Sequence, residues 1–294
     1  MKHAILGVGA IGGLLATAMG YLGEDVALVV RPAKLANFPR QLTLDQPNGS
    51  ITTEAHPVSR LTGSVDVLWV ATKTYQLDAA LESVAGEAGI VVPLLNGVDH
   101  VAVLRARFGD RAVVPATIAV EADRLDDGHY AQRGLVRLSV AASGQSVLGP
   151  LLNNLQERLG FVCRFVENEQ TLLWTKLCFL APFALLTSAS GKDKGGIFAD
   201  PGWKATMDTE IEEAVAVAKA SGAEVETSMI HKILDGSPDT MRSSMAKDLV
   251  AGRQLELDAI AGPIVRGGEK YGISVPTTRK LMAMIAAHER TRPA

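Results

Sequence analysis

One lysine stands inside a long apolar stretch of this 294-residue chain. In LLWTKLCFLAPFALLT (172–187), Lys176 is the only charged residue, and its near neighbours are bulky and apolar. Its side chain could extend from an otherwise buried helix to water. Alternatively it could remain partly buried, in which case burial lowers its pKa and makes its proton easier to donate. Spacing alone leaves both a solvated lysine and a general acid open.

A second candidate site is the glycine-rich turn near the N-terminus. The sequence GVGAIG (7–12) follows a short apolar run and precedes a helix-like segment and a second apolar run, DVALVV. This is the strand, turn, helix and strand context that a dinucleotide-binding fingerprint requires. Such glycines permit a tight turn, close approach of a pyrophosphate and close helix packing, with the helix N-terminus directed at the phosphates. A glycine turn that binds nothing is the alternative. The predicted cofactor-binding residues here are Gly7, Val8, Gly9, Ala10, Ile11 and Gly12.

Three polar residues follow predicted strands. Arg31 ends the second strand, Lys73 comes after VDVLWVA (65–71), and Asn96 comes after IVVPLL (90–95). Ligands of open parallel sheets bind beyond the carboxyl ends of the strands, so these residues are expected at the cofactor edge. A guanidinium where an NAD site usually has an acidic residue suits the 2′-phosphate of NADP. NADP is therefore the predicted cofactor, with a simply solvated Arg31 as the alternative.

The first part of the chain alternates apolar runs with helix-like segments, which is typical of a doubly wound parallel sheet. The segment QLDAALESVAGEAG (76–89) is predicted as a helix and RAVVPATIAV (111–120) as another strand. Partial alternation in GLVRLSV (134–140) suggests antiparallel strands that close the far edge of the sheet. The acidic residues between 121 and 127 are expected in a solvated loop.

From about residue 168 the apolar residues recur at helical spacing. Pro182 is expected to kink or interrupt the helix that carries Lys176. Ser237 and Pro238 are expected to be the N-cap and first residue of a later helix. The prediction is an α/β chain with an N-terminal Rossmann-type doubly wound domain, 1–167, and an all-helical substrate and catalytic domain, 168–294. The cleft between two such domains is the expected reaction site.

Composition excludes some classes of function. The net charge is −3 and no basic stripe is visible, which argues against a nucleic-acid partner. Cys163 and Cys178 lie among apolar residues without metal-ligand spacing, so reduced thiols are expected and no metal site is predicted.

The N-terminal region raises a different possibility. Between His3 and Gly23 there is no charged residue apart from the histidine, so a signal peptide or a membrane anchor is an alternative. Several glycines in this stretch are unfavourable for a compact apolar helix. We therefore predict a cytoplasmic protein without a membrane partner.

Taken together and in order, these motifs resemble the ketopantoate reductase (2-dehydropantoate 2-reductase) family over nearly the whole chain. The glycine turn, Arg31, Lys73 in TKTYQLDAAL and Asn96 in LLNGV match its first half. In the helical half, the family's W-x-K is matched by Trp174–Lys176, and its later motifs by SSMAKD (243–248) and ELD (256–258).

The resemblance implies a reaction and a set of roles. NADPH would deliver a hydride to the ketone carbon of a 2-keto acid, with ketopantoate, a precursor in pantothenate biosynthesis, as the leading substrate. Lys176 would act as general acid, and Glu256 would hold the substrate hydroxyl or orient the lysine. Ser244 would bind the substrate carboxylate, and Asn96 would bridge cofactor and substrate.

The chain departs from the family pattern at three positions. Leu180 and Ala184 stand where the family usually has asparagines, and Ala261 replaces the asparagine before Gly262. A pocket lined by Leu180 and Ala184 lacks amide groups and should prefer a less polar substrate. A relative that reduces another 2-keto acid and a catalytically silent NADP-binding sensor are the alternatives. A homodimer is possible.

Overall fold

The computed structural model describes residues 1–290. Contacts divide the chain into two compact units, one made of Met1–Leu95 and His100–Glu167, the other of Asn96–Asp99 and the residues from Asn168 onward. The short segment Asn96–Asp99 therefore belongs to the second unit, although sequence alone assigns it to the first.

The first unit contains two sheets and the helices that pack on them. Its strands are β1 (Lys2–Leu6), β2 (Asp25–Val29), β3 (Gln41–Gln46), β4 (Gly49–Glu54), β5 (His56–Val58), β6 (Val65–Val70), β7 (Ala88–Pro93), β8 (Ala116–Asp126), β9 (His129–Ala141) and β10 (Val162–Val166). Its helices are α1 (Ala10–Tyr21), α2 (Pro32–Leu35), α3 (Leu77–Leu81), α4 (His100–Phe108) and α5 (Gln145–Leu159).

The first sheet has the strand order β5-β2-β1-β6-β7, and every neighbouring pair is parallel. Its central strands are apolar because both faces are covered, and Val67, Leu68, Trp69 and Val70 of β6 are completely buried. Together with the helical second unit, this parallel sheet confirms the predicted α/β fold class.

The expected role of residues 134–140 in the parallel sheet is wrong. Strands β8 and β9 are antiparallel to each other, but they belong to a second sheet of order β10-β9-β3-β4, in which β8 pairs with β9. The acidic residues 121–126 lie on β8 rather than in a loop. Alternating polarity indicates a half-buried strand, but it carries no information about which strand will pair with it.

Helix α1 packs against both sheets, which explains its glycine content. A Cβ at Gly12 would overlap the carbonyl oxygen of Gly7, and a Cβ at Gly13 would overlap the ring of Tyr130 on β9. These residues let the helix approach a strand on either side. The N-terminal apolar stretch thus forms β1 and α1 of a packed unit, which argues against the signal-peptide alternative.

The segment 76–89 is not one helix. A 3₁₀ turn at Thr74–Gln76 leads into the short α3, and Ala88 already begins β7. Gly86 packs on the backbone of Gly63, where a Cβ would overlap the carbonyl oxygen of Gly63. Close backbone packing and strand pairing outweigh the helical pattern in this segment.

The second unit is helical. Its helices are α6 (Glu169–Ser190), α7 (Lys194–Phe198), α8 (Pro201–Ala220), α9 (Thr227–Asp235), α10 (Ser244–Val250), α11 (Leu257–Tyr271) and α12 (Pro276–Arg290). Their apolar faces form one core that includes Leu185 and Leu186 of α6 and Ile211 of α8, all completely buried.

Helix α6 runs through Pro182 without interruption, so of the two expected effects of this proline, a kink or a break, the break is absent. The Asn168 side chain caps its N-terminus by accepting a hydrogen bond from Thr171 N, and Gly191 ends it with φ +70°. The helix is long and apolar enough to span a membrane, but 78% of its most apolar window is buried inside the protein. Extensive burial stabilises it against the loss of one backbone hydrogen bond at proline.

The predicted helix start at Ser237 and Pro238 is also wrong. Helix α10 begins later, at Ser244, and its N-cap is Ser243. The intervening segment binds the beginning of α7 instead, because Lys194 N donates to Met241 O and Gly195 N donates to Asp239 O. These tertiary hydrogen bonds hold a non-helical path that local capping preference does not indicate.

Candidate active site

Three predicted site residues come together in the second unit. Lys176 lies in the second turn of α6, Glu256 is the N-cap of α11, and Asn96 lies in the segment Asn96–Asp99. Asn96 Nδ2 donates a hydrogen bond to Glu256 Oε2 at 3.2 Å. Lys176 is close enough to Glu256 for the carboxylate to influence its titration. An ammonium, a carboxylate and an amide thus share one site.

The surroundings of Lys176 favour a proton donor over a solvated lysine. Trp174 and Leu177 beside it are almost completely buried, and Lys176 itself is partly buried. Burial lowers the pKa of Lys176 to about 8, and the nearby Glu256 partly opposes this by raising it. Desolvation is the dominant cause. A lysine with this pKa holds its proton at neutral pH but releases it far more readily than a solvated lysine.

The backbone at Gly97 determines where Asn96 can lie. Gly97 has φ +84°, a conformation that favours glycine, and a Cβ there would overlap the carbonyl oxygen of Ala259 in the first turn of α11. Val98 packs against the helical core. The glycine therefore lets the loop lie directly on α11, next to the N-cap residue Glu256.

Ser244 is exposed at the first position of α10. Its position depends on the buried residue before it: Ser243 Oγ accepts a hydrogen bond from Ala246 N at 3.0 Å and is 2.8 Å from Thr187 Oγ1 on α6. Thr187 Oγ1 also donates to Phe183 O at 2.7 Å, so Ser243 is the donor between the two hydroxyls. Sequence reasoning missed Thr187, whose only signal is a hydroxyl within an apolar helix.

The two apolar replacements have different environments. Leu180 is partly buried at the edge of the helical core, so it can present a surface to a ligand. Ala184 is completely buried in that core and exposes no atom, contrary to its predicted place in a substrate pocket. Ala261 is completely buried as well. Leu180 alone of these three remains a candidate for shaping a site.

The glycine turn of the first unit has the shape of a phosphate cradle. Gly7 has φ +96°, and a Cβ there would lie 2.7 Å from Thr72 Cγ2. A Cβ at Gly9 would meet nothing within 4 Å, which leaves open space beside the turn. Gly9 is also the N-cap of α1 and supplies no side-chain hydrogen bond, so the first N–H groups can face an anion. These features fit a dinucleotide pyrophosphate.

Arg31 and Lys73 follow the strands on either side of the glycine turn. Because β1 lies between β2 and β6 in a parallel sheet, the ends of these strands lie side by side. Arg31 is exposed and is the N-cap of α2, and Lys73 is the N-cap of the following 3₁₀ turn. The two cations thus occupy the carboxyl edge of the sheet.

Thr72 is a further polar residue at this edge that sequence reasoning did not select. Its Oγ1 is buried and has no hydrogen-bond partner among the described residues. It lies against Gly7, and its only sequence signal is its position after a buried strand. A buried hydroxyl beside the phosphate cradle is a candidate cofactor contact.

The two cysteines are free thiols. Cys178 is completely buried and Cys163 only partly, and burial raises their pKa values to about 12 and about 11, respectively. Such thiols are poor nucleophiles. Among residues 1–290, no group of histidine, cysteine and acidic side chains has the arrangement of a metal site.

Comparison with known proteins identifies the family. Residues 3–145 match the family described as ketopantoate reductase PanE/ApbA, and residues 168–289 match its C-terminal domain. The chain is 30% identical to a 2-dehydropantoate 2-reductase of Caulobacter vibrioides, over 97% of this chain and 98% of that protein.

Solved structures agree with this relationship. A PanE/ApbA family ketopantoate reductase from Ralstonia eutropha JMP134 has a TM-score of 0.84 at 25% identity, covering 99% of both chains. A D-mandelate dehydrogenase solved with NADH and anilino(oxo)acetate has a TM-score of 0.86 at 21% identity, again covering 99% of both chains, and shows a shared fold. The chain belongs to the ketopantoate reductase family of oxidoreductases, which act on CH–OH groups.

Proposed function

We propose that this protein catalyses the NADPH-dependent reduction of a 2-keto acid to a 2-hydroxy acid, with 2-dehydropantoate as the leading substrate. The observation that carries the proposal is the partly buried Lys176, whose pKa is lowered to about 8 near Glu256, the carboxylate that accepts a hydrogen bond from Asn96. The proposed setting is pantothenate biosynthesis in the cytoplasm, with a homodimer as the proposed assembly.

Lys176 supplies the proton in this proposal. The bound cofactor would provide a hydride for the ketone carbon, and negative charge would then develop on the carbonyl oxygen. The Lys176 ammonium donates a hydrogen bond to that oxygen and transfers one proton, which leaves a neutral amine and a hydroxyl group. General acid catalysis is most effective when the pKa of the acid lies near the working pH, as the lowered pKa of Lys176 does.

Glu256, Asn96 and Ser244 orient the substrate and the lysine. Glu256 is only 5% exposed, so its carboxylate acts on Lys176 with little screening by water. The hydrogen bond from Asn96 holds Oε2 of Glu256 and so fixes the orientation of the carboxylate toward a substrate hydroxyl or the lysine. The exposed hydroxyl of Ser244 is suited to bind the substrate carboxylate.

The glycine turn and Arg31 account for the proposed cofactor. The turn, Gly7 to Gly12, would hold the pyrophosphate at the N-terminus of α1, and Lys73 and Thr72 would contact the cofactor at the same sheet edge. Arg31 would bind the 2′-phosphate, which only NADP carries.

The proposal is tested by following NADPH oxidation with a panel of 2-keto acids that includes ketopantoate, branched aliphatic and aromatic members. We expect turnover of at least one member. Tight NADP binding without any turnover would contradict the proposal and favour a silent cofactor-binding sensor.

A second candidate reaction, reduction of a less polar 2-keto acid, is favoured by Leu180. An apolar side chain cannot hydrogen-bond a polar substrate group that an asparagine would hold. If Leu180 faces the substrate, Leu180→Asn should raise kcat/KM for ketopantoate relative to an aliphatic keto acid without its hydroxyl. Val250→Asn, at an exposed position on α10, is a control that should leave this ratio unchanged.

A further inference from the structure

An arginine outside the predicted site connects the loop of Asn96 to α11. Arg266, on α11, donates to Asp99 Oδ2 from Nη2 at 2.6 Å and from Nε at 3.2 Å. The same guanidinium donates to both oxygens of Asp258, from Nη1 at 2.8 Å and from Nη2 at 3.3 Å. One guanidinium therefore joins the loop carboxylate Asp99 to the carboxylate in the first turn of α11.

The path of the Arg266 side chain depends on a glycine. Asp258 and Arg266 are eight positions apart, roughly 12 Å along a helix axis, so the arginine must reach back over two turns. Gly262 lies midway, and a Cβ there would overlap the guanidinium of Arg266 and the carboxylate of Asp258. Helical side chains point toward the N-terminus, which suits this return path. The glycine leaves the groove in which the guanidinium lies.

The connected loop carries Asn96, and the connected helix starts after Glu256. Asn96 and Asp99 lie at the two ends of the segment Asn96–Asp99, and Gly97 presses the middle of that segment onto Ala259 of α11. At one end Asn96 donates to Glu256, and at the other Asp99 accepts from Arg266. The loop is therefore held on α11 at both ends.

Arg266 is already engaged by protein carboxylates. Its hydrogen bonds to Asp258 and Asp99 raise its pKa, although partial burial opposes the change. About half of its side chain is exposed (49%), so the pairs contribute little to global stability. Their consequence is geometric, because a forked guanidinium fixes two carboxylates in one plane in a way that a lysine cannot.

We propose that Arg266 is a positioning residue for the active site: through Asp99 and across Gly262, it holds the loop so that Asn96 meets Glu256. This inference rests on the proposed function, since it assigns Arg266 a part in orienting the residues of that reaction. Arg266 acts through Asn96 and Glu256 and has no direct role in the chemistry.

The primary test compares Arg266→Met with Arg279→Met. Arg279, on α12, is a matched control because it is similarly exposed (51%) and also pairs with a carboxylate of α11, that of Glu269. We expect Arg266→Met to lower kcat/KM for the keto acid about tenfold, mainly through KM, while NADPH affinity and the melting temperature stay near wild type. Arg279→Met should match wild type. Equal kinetics for the two variants would overturn the proposal.

Two further variants separate positioning from charge. Gly262→Ala keeps every charge but fills the groove, and it should lower kcat/KM in the same direction although alanine is the better helix former. Gly149→Ala, at a helical position where a Cβ meets nothing within 4 Å, is its control and should not change kcat/KM. Asp99→Ala and the double variant Asp99→Ala/Arg266→Met should have similar effects, because both remove the same connection, the one between Arg266 and Asp99. Fully additive losses would contradict action through Asp99.

An NMR measurement distinguishes failure of this inference from failure of the proposed function. The side-chain amide of Asn96, assigned by its absence in Asn96→Ala, should have a hydrogen-bonded shift in wild type and Arg279→Met. In Arg266→Met the chemical shift of this amide should change toward that of a solvated amide. If wild type reduces no keto acid, the proposed function fails, yet this amide still reports on the loop. An unchanged amide in Arg266→Met would overturn the inference.

Discussion

The two units of this protein build their candidate sites in different ways. The first unit uses consecutive backbone positions, Gly7 to Gly12, whose function depends on the absence of side chains. The second unit brings together charged and polar side chains that are far apart in the chain, such as Asn96 and Glu256, separated by 160 positions. The first arrangement suits binding of a phosphate group, and the second suits adjustment of the pKa of a proton donor. The comparison suggests that cofactor binding and chemistry can be altered separately.

The largest expected effect tests whether chemistry resides in the helical unit. Lys176→Ala should lower kcat by about 10²–10⁴-fold, because the developing alkoxide loses its proton donor, while NADPH affinity stays near wild type. Steady-state kinetics and cofactor titration measure the two quantities. Lys204→Ala, which removes another partly exposed lysine of this unit that pairs with Asp208, is the control. Unchanged turnover in Lys176→Ala would return Lys176 to the solvated-lysine interpretation.

The next variant tests whether cofactor binding resides in the first unit. Arg31→Ala should weaken NADPH binding by about 10–100-fold, because a charge-assisted contact to the 2′-phosphate is lost, and should leave NADH binding nearly unchanged. Dissociation constants for both cofactors provide the measurement. Arg158→Ala, at an exposed arginine in the last turn of α5, should affect neither cofactor. Equal losses for NADPH and NADH would remove the NADP assignment.

The pH dependence sharpens the same contrast. Reduction requires protonated Lys176, so kcat/KM should fall about tenfold per pH unit above the pKa of about 8, whereas oxidation of the hydroxy acid should rise through that range. Because Glu256 raises the pKa of Lys176, Glu256→Gln should move the fall in kcat/KM to lower pH. Cofactor affinity should not follow this profile. A kcat/KM for reduction that stays flat up to pH 9.5 would be inconsistent with Lys176 as the acid.

The prediction with the smallest expected effect on catalysis concerns two buried carboxyl groups of the helical unit outside the site. Glu210 is completely buried, and burial, together with the neighbouring Glu213, raises its pKa to about 8. Both carboxyls contact Thr278 Oγ1 on α12, while Glu213 also accepts from Thr277 N and Thr278 N. Glu210 is therefore the neutral member of the pair at pH 7, while Glu213 caps α12 by accepting from its first backbone N–H groups.

The sign of the stability change follows from this assignment. The folded state retains a proton on Glu210 that the unfolded state releases above its ordinary pKa of 4.5, so stability falls as pH rises from about 4.5 to about 8. Glu210→Gln removes this loss and should raise the free energy of unfolding by up to about 4 kcal/mol at pH 8, and by little at pH 4. Thermal melts across this range measure the difference. Glu213→Gln, one turn away, should destabilise at pH 8, and stabilisation by both variants would contradict the assignment.

Local patterns predicted the elements that depend on nearby residues. The first thirty residues contain β1, the glycine turn, α1 and β2 as expected, because strand burial and glycine geometry act over short distances. The same reasoning failed where partners are remote. The pattern of residues 134–140 predicts the wrong sheet, and Ser237 predicts a helix start that is absent, because strand partners and the hydrogen bonds of α7 come from distant segments.

The features of the candidate site likewise fall into those set by nearby residues and those set by remote partners. The sequence by itself determined a glycine turn after a buried strand, cations at the ends of neighbouring strands and one lysine within an apolar helix, since residue type and spacing suffice for these features. Only the tertiary structure decided that Asn96 lies against Glu256, that Ala184 is enclosed in the core and that Arg266 connects Asp99 to Asp258. Hydrogen-bond partners and burial arise when segments far apart in the chain pack together, and no local pattern records which segments will meet.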